Sequence, residues 1–272
     1  VTLIGNYAFT DYQSATSITL PESVTSIGDY SFSGCTGLTA INLHNNLTSI
    51  GEGAFVNCNH LSAIDIPSSV ITIGTNAFEG CTGKATIQCN IPSYVTGKSP
   101  FHNSNFDKFI VVDGVTEIGD NAFTNCEMTA ITLPNSVVHI GERAFQNCSK
   151  LISIVLPEAV TAIADNTFNA CRSLEAIQIP NGVATIGKRA FTGCRSLTSI
   201  IIPESMTAIA EKAFYSCTAL TDVYCFAITL PGTENDAFEK VKTENATLHV
   251  PSGSLEAYKT TTPWSTFGSI VV

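Results

Sequence analysis

The sequence predicts a solenoid of about eleven coils, each built from one unit of about 23 residues. The first observation is the spacing of phenylalanine, which recurs every 22 to 24 residues at Phe9, Phe32, Phe55, Phe78, Phe101, Phe123, Phe145, Phe168, Phe191, Phe214 and Phe238. The second is a cysteine three residues after most of these phenylalanines, followed three residues later by leucine. The third is an alternating apolar pair that ends at a proline in most copies. One copy cannot bury its own apolar side chains, but stacked copies bury a continuous core.

The alternating segment of each unit predicts a short strand. In L-x-x-I-x-[IL]-P the apolar residues lie two apart, as at Ile64 and Ile66, so one face of the strand is buried. The proline that follows, such as Pro67, has no amide hydrogen and ends the strand at the same place in each coil. An Ile-Gly pair comes next, as at Ile27 and Gly28, and permits a turn.

The segment x-A-F-x-x-C predicts a short helical turn that begins beside an acidic residue. Six units carry Asp or Glu three residues before the phenylalanine: Asp29, Glu52, Asp120, Glu142, Asp165 and Glu211. A carboxylate at this place can face the free amides at the start of a helical turn. The same column could also be interpreted as a ladder of cation ligands, but helix-start charges on a solvated face explain it more simply.

Composition and charge indicate a folded, acidic chain. Hydrophobic residues make up 44% of the 272 residues and charged residues only 13%, the reverse of a disordered chain. The net charge is −10 without a cluster of Lys and Arg, which argues against nucleic acid as a partner. No apolar stretch approaches the roughly 18–20 residues needed to cross a bilayer, so no transmembrane segment is predicted.

The first residues fall in the middle of a repeat. Val1–Gly5 matches Val24–Gly28, and residues 1–25 lack the basic start and apolar run of a signal peptide. We therefore expect a signal or an anchor to lie upstream of Val1.

Residues 90–111 interrupt the repeat. Phe101 keeps the spacing, but Ser104 replaces the cysteine, and Pro92, Gly97 and Pro100 break the unit. We interpret this stretch as an irregular coil that packs its aromatic side chains inward. A protruding loop that contributes to a binding site is the alternative, since loops often carry function.

The C-terminal residues also depart from the repeat. Leu248–Pro251 predicts a last strand and its end, Ser254–Lys259 predicts a helix, and Trp264 and Phe267 follow. A solenoid must cover its terminal apolar face, so we interpret this segment as a cap. The predicted domains are a solenoid at 1–238 and a C-terminal cap at 239–272.

The unit C-x-x-L-x-x-I-x-[IL]-P-x-x-V-x-x-I-G-x-x-A-F resembles that of the BspA-like, or Treponema-type, leucine-rich repeats. The resemblance covers Val1 to about Phe238 and is weakest at 90–111, while the final segment is similar to the cap of bacterial surface members. It implies a leucine-rich-repeat solenoid, a right-handed superhelix of the α/β type with short strands, turns and short helical segments. It also implies a secreted or surface-anchored protein, in a family of which some members bind host extracellular-matrix proteins or other cells. Function carried over from fold in this way is analogy.

The ten cysteines invite a disulfide or metal interpretation. Eight occupy one position per coil, and Cys89 and Cys225 fall eight residues after Cys81 and Cys217, where other repeats place the second apolar strand residue. Stacked cysteines point their Cβ vectors in parallel, which suits disulfide geometry badly. We therefore predict buried free thiols that pack as small hydrophobic groups.

No motif predicts catalysis, a cofactor or a metal. The chain has no CxxC pair, its five histidines show no HxH or HExxH spacing, and GxSxG, P-loop and Rossmann glycine patterns are absent. An enzyme site in the 90–111 stretch would need acid, base or nucleophile groups that converge there, and the sequence offers none. We predict a non-enzymatic protein with no cofactor and with no catalytic, cofactor-binding or metal-binding residues.

A column of exposed residues lies between the two buried residues of each strand. We call this column the strand face: Thr19, Asn42, Asp65, Gln88, Thr132, Val155, Gln178, Ile201 and Tyr224. Such a column often lines the binding surface of a solenoid. It begins polar and ends with Val155, Ile201 and Tyr224, an apolar tendency that can mark an interaction site. We predict an extracellular or cell-surface binding module that mediates adhesion or another protein–protein interaction through this face. A host extracellular-matrix protein or another cell-surface protein is the expected partner, and a glycan is less favoured. The alternative is a structural spacer, or stalk, that projects another domain from the cell surface.

Overall fold

Parallel strands recur at two places in the repeat throughout the described chain, which comprises residues 1–95 and 98–272 of a computed structural model. The longer strand lies in the segment L-x-x-I-x-[IL], as predicted. A two-residue strand, which the sequence analysis did not predict, lies in V-x-x-I. The chain forms two compact units, residues 1–136 and 137–272, and each is a solenoid of stacked coils. The predicted solenoid is therefore confirmed.

The unit of residues 1–136 contains two parallel ladders of strands. The longer strands are β2 (Ser17–Thr19), β4 (Ala40–Asn42), β6 (Ala63–Ile66), β8 (Thr82–Ile87), β9 (Asn105–Val111) and β11 (Ala130–Thr132). The short strands are β1 (Leu3–Ile4), β3 (Ser26–Ile27), β5 (Ser49–Ile50), β7 (Thr72–Ile73) and β10 (Glu117–Ile118). The short strands pair in the order β1-β3-β5-β7, and the longer ones pair as β2-β4 and as β6-β8-β9-β11.

The unit of residues 137–272 repeats this arrangement. Its longer strands are β13 (Ser153–Val155), β15 (Ala176–Gln178), β17 (Ser199–Ile202), β19 (Asp222–Cys225), β21 (Thr247–His249) and β22 (Ser269–Val271). Its short strands are β12 (His139–Ile140), β14 (Ala162–Ile163), β16 (Thr185–Ile186), β18 (Ala208–Ile209) and β20 (Gly232–Thr233). The short strands pair in the order β14-β16-β18-β20, and the longer ones pair as β13-β15 and as β17-β19-β21-β22.

The phenylalanine column forms the core of each unit as a stack of parallel rings. From Phe9 to Phe123, neighbouring centroids lie 5.3 to 5.5 Å apart, and from Phe145 to Phe238 they lie 5.1 to 5.5 Å apart. Most of these rings are fully buried, whereas Phe9 is 42% exposed. Each buried ring contributes about 1.5–3 kcal/mol of hydrophobic free energy, so the stack is a main source of stability.

The segment x-A-F-x-x-C is a turn and not the predicted helical segment. Alternate amides donate to carbonyls of the next coil, in the pairs Tyr30 to Glu52, Phe32 to Ala54 and Gly34 to Val56. The residues two before and two after the phenylalanine have positive φ, 52° at Tyr30 and 70° at Gly34. In a helix these amides would donate to carbonyls of the same segment. Here they donate to carbonyls of the next coil, so no helix forms. The single α-helix of the described residues is α1 (Leu255–Thr260).

The irregular stretch at 90–111 packs its aromatic residues inward, as predicted. Phe101, Phe106 and Phe109 are fully buried and make edge-to-face or tilted contacts with one another and with neighbouring rings of the stack. Strand β9 pairs with β8 through a register shift between Gly83 and Lys84. Of the residues that the alternative loop interpretation involved, Gly97 lies outside the described residues. The aromatic cluster therefore belongs to the core.

The C-terminal residues add strands β21 and β22 and helix α1 to the second unit. Trp264 and Phe267 are buried and meet the Phe238 ring edge-on at 5.4 and 5.3 Å. The buried Tyr258 of α1 donates a hydrogen bond from its hydroxyl to the carbonyl of Ala227 at 2.8 Å. These contacts cover the last ring of the phenylalanine stack. The predicted domain boundary between residues 238 and 239 stays a prediction.

Candidate binding surface on the strand face

In the first unit, strand pairing aligns the strand face with one correction. Thr19 lies opposite Asn42, and both are exposed together with Asp65 and Thr132. Asp65, however, lies opposite Thr86 and not opposite the predicted Gln88, which follows the end of β8. The coil after Cys81 reaches its strand two residues earlier than the other coils, so counting from the cysteine misplaces this position. For the same reason Cys89 lies beyond β8, although it is buried.

The register shift also brings a residue that the sequence analysis missed onto the strand face. Ile110 of β9 lies opposite both Thr86 and Thr132 and is half-buried. Phe109 and Val111 are buried on either side of Ile110. This alternation, visible in the sequence, could have placed Ile110 on the strand face. The strand face of the first unit therefore consists of mainly polar residues with one aliphatic side chain.

In the second unit the strand face is largely apolar. Val155 lies opposite Gln178 and is 59% exposed, and Ile201 lies opposite Tyr224 and is 52% exposed. Strands position these side chains outward because their neighbours in sequence, Ile154 and Ile200, are buried in the core. Exposed aliphatic side chains at these positions contribute nothing to the core, which leaves them free to contact a partner.

Strands β21 and β22 extend this apolar region. His249 lies opposite Tyr224, and Val271 lies opposite His249. The rings of Tyr224 and His249 stack with centroids 4.2 Å apart and planes 12° apart, and His249 Nε2 lies 3.3 Å from Asp222 Oδ1. Neither His249 nor Val271 was among the predicted residues. The match of Leu248 to Val223 could have revealed that His249 continues the Tyr224 position.

A groove of about 640 Å³ borders the carboxyl ends of the strands of this unit. It is lined by Asn181, Glu204, Ser205 and Phe226, residues that follow β15, β17 and β19. Phe226 is 50% exposed. Aromatic side chains with this exposure are common anchors in protein interfaces. The groove and the apolar part of the strand face therefore form one candidate surface.

The cysteine column has no part in this surface. All ten cysteines are buried free thiols, as predicted. They do more than pack, because most donate to the carbonyl of the phenylalanine in the preceding coil, as Cys171 does to Phe145 and Cys217 to Phe191, both at 3.1 Å. Burial raises the pKa of Cys126, Cys171 and Cys217 to about 12. Such thiols are poor nucleophiles at neutral pH.

The acidic column does not start helices, which corrects the predicted role. Asp29 Oδ1 accepts the amide of Glu52 in the next coil at 2.9 Å, and Asp165 Oδ1 accepts that of Lys188 at 2.7 Å. Glu211 instead meets the ammonium group of Lys188 at 2.6 Å, and this hydrogen bond lowers the pKa of Glu211. Within residues 1–95 and 98–272, no group of three or more His, Cys, Asp or Glu side chains could hold a metal ion.

The fold and this surface define a leucine-rich-repeat solenoid with an exposed, partly apolar sheet face. The chain belongs to the BspA-type leucine-rich repeat family: the family model for the BspA type leucine rich repeat region (6 copies) matches residues 2–129 and 95–221. In the part of the chain that the structure describes, no helix is both long and apolar enough to traverse a bilayer.

Solved structures of bacterial leucine-rich repeat proteins share the fold. A leucine-rich repeat protein from Bacteroides ovatus ATCC 8483 is 24% identical with a TM-score of 0.54, over 100% of this chain and 88% of that one. The pneumococcal vaccine antigen PcpA is 19% identical with a TM-score of 0.50, over 100% of this chain and 84% of the antigen. No curated protein matches the chain significantly.

Proposed function

We propose that this chain is a non-catalytic binding module that engages a protein through the strand face of residues 137–272. The observation that supports this most is the exposure of Ile201 beside the Tyr224–His249 stack. Aliphatic and aromatic side chains on hydrogen-bonded strands can bury apolar area on binding at a low cost in backbone entropy. The strand face of the first unit is mainly polar and offers less of this gain.

The proposed location of the chain and the proposed kind of partner are inferred from its resemblance to the family. The chain is secreted or held at the cell surface, and its partner is a host extracellular-matrix protein or another cell-surface protein. The buried, high-pKa thiols and the lack of a metal-binding cluster among the described residues support a binding role over catalysis. The strand face of residues 137–272 is an exposed sheet surface, which suits a protein better than a small molecule.

The test is a binding screen followed by paired variants. The chain is immobilised and exposed to a panel of purified extracellular-matrix proteins and glycans. Any protein that binds is measured again with Ile201→Ser/Tyr224→Ser and with Asn42→Ser, a control on the strand face of the first unit. We expect the double variant to bind at least about tenfold more weakly, which corresponds to about 1.4 kcal/mol, while its melting temperature falls by no more than a few degrees. The control should bind as the original chain does.

Two results would contradict the proposal. If the double variant and the control bind equally, the partner uses another surface. If no member of the panel binds, the alternative function as a structural spacer is favoured, since a spacer needs no ligand.

We also propose that residues 239–272 cap the solenoid. The support is the burial of Trp264 and Phe267 against Phe238, which would otherwise end the ring stack at solvent. Replacing Trp264 with Ala should lower the free energy of unfolding by about 3–5 kcal/mol and increase binding of an apolar dye. An unchanged stability would mean that the segment does not serve as a cap.

A further inference from the structure

Two arginines occupy the same position in successive repeats of the second unit. Arg172 follows Cys171 and Arg195 follows Cys194, and both arginines are exposed. The two repeats are in register here, because the Phe168 and Phe191 rings lie 5.5 Å apart and Cys194 Sγ donates to the Phe168 carbonyl at 3.2 Å. The arginines therefore occupy equivalent turn positions in adjacent coils.

Neither guanidinium group has an ionic partner within the described residues. No carboxylate oxygen lies within 4.0 Å of Arg172 or Arg195, although Glu175 is only three residues from Arg172. The other arginines of the unit differ in this respect. Arg143 lies 3.2 Å from Glu142, and Arg189 lies 3.9 Å from Glu211. The pair of successive arginines is therefore left uncompensated.

The fold itself does not require arginine at this position. The repeat of Cys126 carries Glu127 there, and five other repeats carry small polar residues: Thr36, Asn59, Thr82, Ser149 and Thr218. Two positive charges in the turns of neighbouring coils repel each other, so the pair weakens the free protein slightly. A guanidinium group binds a carboxylate through two parallel hydrogen bonds, and two groups in register offer a double site.

The arginine pair lies in the turns that precede the strands of the apolar strand face. Arg172 and Arg195 lie four residues before the first residues of β15 and β17, whereas Glu204 lies beyond the carboxyl end of β17. Ile201 lies between these two edges. A partner on this surface thus meets positive charge at one edge and apolar side chains in the middle.

Most of the basic residues of the chain lie in the second unit. Residues 1–136 contain 3 basic and 11 acidic residues, whereas residues 137–272 contain 10 basic and 12 acidic ones. An acidic partner is repelled by the first unit and far less by the second. Electrostatics would therefore favour docking on the second unit.

We infer that the strand face of residues 137–272 binds an acidic polypeptide segment, whose carboxylates pair with Arg172 and Arg195 and whose apolar side chains cover Ile201. The inference rests on the proposed function and specifies the chemistry of its partner. A polypeptide fits better than a sulfated polysaccharide, because a polypeptide can carry both carboxylates and aliphatic side chains.

The test measures peptide affinity with the full chain. The probe is a labelled synthetic peptide of alternating glutamate and leucine, compared with one in which glutamine replaces glutamate and one in which serine replaces leucine. Heparin serves as a sulfated polyanion. The variant is Arg172→Ser/Arg195→Thr, which introduces the residues that neighbouring repeats carry. The control is Arg189→Asn/Lys212→Asn, which removes two charges elsewhere in the unit at positions where Asn166 shows that asparagine fits.

We expect the glutamate–leucine peptide to bind the original chain at least about tenfold more tightly than either altered peptide. The arginine variant should lose at least about tenfold in affinity for it, and the control less than about twofold, because two charge-assisted pairs are lost only in the former. Equal binding of the glutamate and glutamine peptides, or no binding of any peptide, would overturn the inference. Arginine-dependent binding of heparin alone would do so as well.

A further variant separates this inference from the proposed function. If Ile201→Ser abolishes binding of the glutamine–leucine peptide while the arginine variant changes nothing, the strand face binds polypeptides without the acidic preference. In that case the proposed function stands and the inference fails.

Discussion

The ring of Tyr224 stacks on the ring of His249, with centroids 4.2 Å apart and planes 12° apart. The two residues lie opposite each other on β19 and β21, and their neighbours Val223 and Leu248 are fully buried. The stack therefore stands on the outer surface of the sheet directly above the core. The backbones of β19 and β21 position the two rings, which lie outside the core of the solenoid.

This arrangement predicts a sharp difference between two adjacent residues of one strand. Replacing Tyr224 with Ser should lower the free energy of unfolding by no more than about 1 kcal/mol, because only a surface pair is lost. Replacing Val223 with Ser should cost about 2–4 kcal/mol, because a buried side chain is truncated and a hydroxyl is buried. Chemical denaturation of both variants checks this. Equal losses would show that the alternation of β19 is not as described.

The phenylalanine stack predicts a large loss at its centre. Replacing Phe168 with Ala should lower the free energy of unfolding by roughly 3–5 kcal/mol, because both neighbouring rings lose a contact and a cavity remains. The control is Phe9→Ala at the exposed start of the column, where we expect a loss below about 1.5 kcal/mol. A loss under about 1 kcal/mol at Phe168 would mean that the column is not core.

The thiol column predicts the behaviour of the cysteines towards a thiol reagent. In the folded chain near pH 8 we expect slow reaction, because the thiols are buried and their pKa values are raised. In denaturant without reductant, titration should count close to ten free thiols. The detection of four or more disulfides would refute the interpretation of the column as buried thiols.

The same thiols predict a loss of stability at alkaline pH. Cys126, Cys171 and Cys217 have pKa values of about 12 against an ordinary value of 9.0, because burial disfavours the thiolate. The unfolded chain therefore releases protons first. The stabilisation is complete below pH 9 and is lost as the pH rises towards 12. Each thiol contributes a slope of about 1.4 kcal/mol per pH unit in this window.

Denaturation curves between pH 8 and 11 measure this dependence. The buried hydroxyls of Tyr94 and Tyr258, whose pKa values burial also raises, act in the same direction. The triple variant Cys126→Ala/Cys171→Ala/Cys217→Ala should show a smaller slope of stability with pH, whatever its stability at pH 8. An unchanged slope would mean that other groups cause the alkaline loss.

Much of the architecture could be predicted from the sequence because the repeat assigns each residue type a fixed environment. The buried positions of Phe168, Cys171 and Leu174 follow from their recurrence alone, since only stacking can remove such side chains from water. The strand at Ile177 and its outward neighbour Gln178 follow from alternation in the same way. These features depend on a period that is visible in the chain.

The rest depended on contacts between coils, which a period cannot reveal. The turn at Phe32 is not helical because its amides find carbonyls in the next coil, and the register at Thr86 shifted because that coil is shorter before its strand. The pairing of His249 with Tyr224 likewise depends on which side chains meet in space, as does the lack of an ionic partner for Arg172 among the described residues. The sequence by itself thus determined the repeating core, since burial follows from residue type and spacing. The tertiary structure alone decided the hydrogen-bond partners, the strand register and the chemistry of the exposed face, since these depend on distances between successive coils.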